Sequence, residues 1–136
     1  MRKINKKGQA LIDLIITFSA LMLVFLILFN FMIKDRLGER VEQELRLDAR
    51  IEAEKVWFAV ATVTFAGTGT NKTIFLSDTL SRGVEYNITV YQSGSINVDY
   101  SNRLYTIALP TKNVNQTVLP TGKIHVKNEN GVILFE

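Results

Sequence analysis

Three asparagines carry the one recurrent chemical motif of the chain. Asn71-Lys-Thr73, Asn87-Ile-Thr89 and Asn115-Gln-Thr117 each have the form of an N-glycosylation acceptor, with no proline at the middle position. A Thr/Asn-rich sequence also produces such triplets by chance, so each counts as a candidate acceptor rather than an assigned one. Other chemistry is sparse. His125 is the single histidine, and one imidazole makes neither a usual metal site nor a Ser-His-Asp arrangement. The chain has no cysteine, which removes disulfides, thiolate metal sites and thiol nucleophiles together. No glycine-rich phosphate loop is present. Tyr86, Tyr91, Tyr100 and Tyr105 follow strand spacing and read as sheet-packing residues before they read as a sugar platform. The sequence therefore predicts no enzyme and no cofactor, and its function must be sought in how the chain is placed and what it packs against.

Placement is dictated by the first third. Ala10–Ile33 is a run of 24 residues interrupted only by Asp13, Thr17, Ser19 and Asn30. As a helix it would be about 36 Å long, enough to cross a hydrocarbon core of about 30 Å. Ahead of it stand Arg2, Lys3, Lys6 and Lys7, so the basic side is expected to stay cytoplasmic and the C-terminal part to lie outside. The formal charge of +3 belongs to this leader, because residues 9–136 carry 12 basic and 13 acidic side chains. That distribution gives no basic face for nucleic acid. The run exceeds a signal-peptide apolar region of about 7–15 residues, leaving a signal anchor as the plainest alternative. Asp13 is the costly residue in it and calls for a partner.

The string Lys6-Lys7-Gly8-Gln9-Ala10-Leu11-Ile12-Asp13 resembles the class III signal peptide of archaeal type IV pilin-like proteins. The resemblance covers roughly residues 3–33. It implies cleavage by a prepilin peptidase between Gly8 and Gln9, which separates a basic leader, residues 1–8, from the mature chain. It also implies that the acidic residue at the fifth mature position pairs with the terminal amine of a neighbouring subunit. Asp13 stands where that family usually has Glu, and Leu11 where it often has Ser. The subunit-pairing residues would then be Gln9 and Asp13.

Residues 34–66 contain no proline and are rich in Glu, Arg, Leu and Ala, which predicts that the helix continues. Leu45, Ala49, Ala53, Val56 and Val60 share one arc at 100° per residue, while Leu47, Ile51 and Phe58 fall on nearly the opposite one. Two stripes suit a helix with a sheet on one side and neighbouring helices on the other; scatter in a moderately apolar segment is the alternative. Glu39, Glu42, Glu44, Arg40, Arg46 and Arg50 read as solvated flanks, Trp57 as a core residue, and Gly38 as either a kink or a tolerated small residue. Gly67-Thr68-Gly69 is the expected stop.

Beyond it the composition turns to Thr, Asn, Val, Ile and Tyr. Strands are predicted at Thr73–Leu76, Val84–Gln92, Ser95–Tyr100, Leu104–Leu109, Gly122–Lys127 and Val132–Phe135. Turns are predicted at Ser93-Gly94, Ser101-Asn102 and Asn130-Gly131, with a Thr/Asn-rich loop between Pro110 and Pro120. The expected architecture is α+β: a long N-terminal helix over residues 9–66, its first part 9–33 apolar, and a small antiparallel β head over 67–136. In that layout the apolar helix anchors a membrane precursor. It then becomes the core of a homopolymeric extracellular filament through Leu21, Val24, Phe25, Leu28 and Phe29. A minor pilin, or an anchored surface binding protein that never polymerises, is the alternative; the small head leaves little room for a pocket.

Overall fold

The computed structural model of the protein describes residues 6–136; Arg2, Lys3 and the Lys7 side chain of the expected leader lie outside the described residues. One helix, α1 (Lys6–Ala66), is followed by seven strands: β1 (Asn71–Leu76), β2 (Tyr86–Tyr91), β3 (Ser95–Tyr100), β4 (Arg103–Ala108), β5 (Thr117–Leu119), β6 (Gly122–Glu129) and β7 (Val132–Phe135). The long helix followed by antiparallel strands matches the α+β expectation. The helix starts ahead of Gly8 and ends where the glycines stand. Gly38 lies within the helix, and a Cβ there would meet nothing within 4 Å, so it is a tolerated small residue. The chain divides into two compact units, residues 1–41 and residues 42–136, so the second half of α1 folds with the strands.

In the first unit the backbone hydrogen bonds of the helix are made within the segment, the one way an apolar stretch keeps its amides satisfied away from water. Its polar interruptions are accommodated locally. Thr17 Oγ1 donates to the Asp13 carbonyl at 2.8 Å, and Asn30 Nδ2 to the Leu26 carbonyl at 3.3 Å.

In the second unit, Leu45, Ala49, Ala53, Val56 and Val60 are buried, as their shared arc predicts, together with Ala59, Ala61 and Val63. Small residues dominate this face, which lets a sheet approach closely. The strands form two sheets, ordered β1-β6-β7 and β4-β3-β2-β5. Their inner faces contribute Ile88, Val90, Ile96, Val98, Ile124, Val126 and Ile133 to the core. Residues 113–119 join the two sheets. Ile133 N donates to Asn113 O at 2.8 Å and Asn115 N to Ile133 O at 3.2 Å on the β7 side, and β5 then pairs with β2. The result is a split, nearly continuous array that ends in β1 on one side and β4 on the other.

Turn chemistry explains the hairpins. Ser101 and Asn102 (φ 45° and 58°) and Asn130 and Gly131 (φ 53° and 86°) are two-residue connections with both residues left-handed. The β2–β3 loop is one residue longer than the expected Ser93-Gly94 turn. Gly94 has φ 82°, and a Cβ there would sit 3.0 Å from the Thr111 carbonyl. β5 was expected to be loop; its three residues follow a Thr/Asn-rich stretch and precede Pro120, which hides a short strand.

Asn128 ties the end of α1 to the sheet. Its buried Nδ2 donates to the Val63 carbonyl at 2.9 Å, one of the helix's last orphan acceptors, and its Oδ1 accepts from Gly131 N at 3.0 Å. Asn128→Ala is expected to lower stability by about 1–3 kcal/mol, because the carbonyl would be left buried and unpaired. Thermal unfolding of the detergent-solubilised chain checks this; an unchanged midpoint would contradict it.

Candidate functional site

The candidate functional surface is α1 itself. Gly8, Gln9 and Asp13 all lie on the helix and are exposed. So are Leu21, Val24, Phe25, Leu28 and Phe29, each roughly half to two-thirds accessible. Phe25 and Phe29 stack one turn apart with ring centroids 6.0 Å apart. The whole stretch Leu11–Ile33 presents large apolar side chains with no protein cover, and the helix is long and apolar enough to cross a membrane.

The second stripe is exposed as well. Leu47, Ile51 and Phe58 lie on the side of α1 away from the sheets, and Phe65 joins them with 82% of its surface accessible. Ile51, Phe58 and Phe65 are spaced by seven residues, the repeat of a helix-packing seam. Phe65 lies one heptad beyond the predicted stripe and extends it. Trp57, expected in the core, is only half-buried between the two faces.

Acidic residues hold the β1–β2 connection against the helix. Glu44, Asp48 and Glu52 recur every fourth residue and therefore share a face. Glu44 lies 3.3 Å from Arg82 Nε, which Arg82 presents from a left-handed backbone (φ 63°). Asp48 Oδ2 accepts from Ser81 N at 2.8 Å. Glu52, only 4% exposed, accepts from Ser77 Oγ at 2.8 Å, Ser77 N at 3.2 Å and Lys55 Nζ at 2.7 Å. A buried carboxylate is costly unless so partnered. Glu42 pairs with Arg103 of β4. Glu42 and Glu44 are exposed, as expected of solvated flanks, and each also pairs with an arginine of the head. Their spacing was readable in the sequence; their partners in the loop were not.

The remaining candidates fall in separate places. Asn71 stands on β1, Asn87 on the outer face of β2 and Asn115 in the segment joining the sheets, and all three side chains are accessible. His125 is half-buried, with Nδ1 2.9 Å from Thr73 Oγ1. Tyr86 and Tyr100 are buried sheet residues. Among the described residues no group of His, Asp or Glu could hold a metal ion. Comparison with known protein families, with curated proteins and with solved structures returns no match.

Tyr86 gives the head a pH dependence. Its hydroxyl donates to the Ser77 carbonyl at 2.5 Å and lies 3.5 Å from Glu52 Oε2. Burial, then the Glu52 carboxylate, push its pKa well above the ordinary 10.0. The folded chain therefore keeps a proton that the unfolded chain releases as pH rises past about 10. Its contribution is intact below that pH and declines above it. Alkaline titration of thermal stability is expected to show a shallower decline for Tyr86→Phe than for the native chain; equal slopes would contradict this.

Proposed function

We propose that the chain is a structural subunit of an extracellular, type IV pilus-like filament, held in the membrane as a precursor and polymerising through α1. The observation that carries this reading is the second stripe. A single-pass anchor needs the apolar span Ala10–Ile33 and nothing more. Leu47, Phe58 and Phe65 lie beyond that span and are exposed, and Ile51 beside them is partly exposed at the rim of a cleft with the β1–β2 connection. Large apolar side chains repeated along one exposed helix face mark an interaction surface. Packing of helices from further copies would cover this stripe and, separately, the membrane segment. At about 25 cal/mol per Å² of apolar area, such burial holds subunits without covalent links.

The resemblance of Lys6–Asp13 to a class III signal peptide supplies the route. Cleavage between Gly8 and Gln9 by a prepilin peptidase removes the basic leader and frees the helix to leave the bilayer. Asp13, exposed on its helix, would then face the amine of Gln9 in a neighbour. The head forms the outer surface, suits a role in adhesion, and offers Asn71, Asn87 and Asn115 as accessible acceptors for glycans.

One observation favours the alternative of an anchored binding protein. An open cleft of ≈ 430 Å³ lies beside β4, lined by Glu42, Arg46, Tyr100, Arg103 and Tyr105, more room than the size of the head suggested. Its mouth is wide and its lining polar, so the stripe weighs more.

Two experiments test the reading. Intact and peptide mass spectrometry of filaments sheared from the source cells is expected to find a dominant chain beginning at Gln9, with added mass on one or more of the three asparagines. An unprocessed chain confined to membranes would leave the single-pass anchor. Phe58→Lys is expected to lower the yield of sheared filaments by about tenfold or more, the loss of one buried aromatic per contact. The amount of chain in membranes should not change. Native filament yield from this variant would contradict the seam.

A further inference from the structure

The split β array has two open edges, and they fit each other. β7 is covered by residues 113–115, and β5 is three residues long, whereas β1 and β4 are six-residue terminal strands. A long edge strand presents unpaired N–H and C=O groups, and natural heads usually blunt such edges with proline, bulges or inward charge. Neither strand contains a proline; each carries one cation in phase with its inward residues, Lys72 on β1 and Arg103 on β4, and the latter is neutralised by Glu42.

Which residues present those groups follows from the pairing. Asn128 N donates to Thr70 O, and His125 and Glu136 exchange both main-chain bonds. Alternation along β6 then directs the bonds of Lys72, Ile74 and Leu76 toward β6. Asn71, Thr73 and Phe75 are left with main-chain groups at the open edge. On β4, the Ser101-Asn102 turn makes Tyr100 and Arg103 the closing pair, followed by Val98 with Tyr105 and Ile96 with Ile107. Leu104, Thr106 and Ala108 hold the open groups there. In both strands these residues also carry the outward side chains, and Phe75 and Leu104 are 66% and 61% exposed despite being apolar.

We propose that β1 of one copy adds antiparallel to β4 of a second copy, pairing Phe75 with Leu104, Thr73 with Thr106 and Asn71 with Ala108. In this register every open donor meets an open acceptor, because both sets of three are in the same hydrogen-bonding phase. The outer side chains stay outside, and the two exposed apolar residues cover each other. Strand addition of this kind takes its affinity from main-chain bonds and its register from side chains. The two edges belong to opposite ends of one head, so the contact is heterologous and leaves a free edge at each end of a joined pair. Repetition produces an open chain of heads. The contact needs nothing from the apolar helix and stands apart from the filament reading, although it would reinforce a filament from outside.

The test is disulfide trapping in the full chain, which has no cysteine of its own. Phe75→Cys and Leu104→Cys are placed together, and the protein is oxidised in detergent and in sheared filaments. Directly opposed residues in a hydrogen-bonded pair sit about 5.5 Å apart at Cα, within disulfide range. The proposal expects a ladder of dimers, trimers and higher species from the double variant, and dimers alone when the two single variants are mixed. Thr106→Pro, added to the double variant, removes an edge N–H that the head's own sheet does not use. It should cut the ladder by about tenfold while the head, which loses only the exposed Thr106 Oγ1–Asn97 Oδ1 bond at 3.0 Å, still unfolds as a folded domain on heating. Absence of the ladder, an equal yield from the shifted pair Phe75→Cys with Thr106→Cys, or indifference to Thr106→Pro would overturn it. Filaments that form without the 75–104 link would overturn the strand addition and leave the filament reading standing. A ladder from a chain that never forms filaments would do the reverse.

Discussion

The structure depends on one helix whose exposure changes along its length and differs between its two faces. From Ala10 to Ile33 no side of α1 has protein cover in the isolated chain. From Leu45 onward one side is a tight, small-residue face covered by sheet, and the other keeps Leu47, Ile51, Phe58 and Phe65 in solvent. A chain of this size has little surface to bury, and leaving several aromatic and branched residues exposed forgoes stabilisation that a soluble monomer would need. The pattern makes physical sense if those residues are covered by something else, first lipid and then other helices.

The head is built to hold that helix without consuming its second face. The contacts that fix it flank the apolar face on both sides: Glu44, Asp48 and Glu52 grip the β1–β2 connection on one flank, Glu42 reaches β4 on the other, and Asn128 closes the helix end. Surface pairs such as Glu44–Arg82 contribute little each. Glu52 is different, since its burial makes its hydrogen bonds to Ser77 necessary rather than optional. These tethers flank the covered face on both sides, and Leu47, Phe58 and Phe65 lie roughly opposite it and stay exposed.

Much of this was legible in the sequence, for reasons that differ by element. The helix could be read because Ala10–Ile33 is apolar but for Asp13, Thr17, Ser19 and Asn30, and residues 34–66 lack proline, with Gly67 and Gly69 (φ 89° and 87°) ending it. The two-stripe pattern is visible as angular position alone; Phe65 at the helix end extends it, and Trp57, between the two faces, is only half-buried. Six of the seven strands appeared through period-two alternation and Asn/Gly turns, with ends displaced by up to two residues. β5 was hidden because three residues are too few for a period to show. The division into two sheets, and their joining through residues 113–119, rests on long-range pairing that no local pattern encodes. The same limit applies to the tethers. Acidic residues at every fourth position look like a solvated flank until the loop that they hold is known.

The central claim, that α1 is covered by other copies of itself, is tested most directly by electron cryomicroscopy of filaments sheared from the source cells. The account predicts a helical polymer of this chain in which α1 lies toward the axis. Leu21–Phe29, Leu47, Ile51, Phe58 and Phe65 should be in contact with neighbouring helices, and the strands should lie outside. A filament in which the second stripe faces solvent, or is built from another protein while this chain remains in the bilayer, would contradict it.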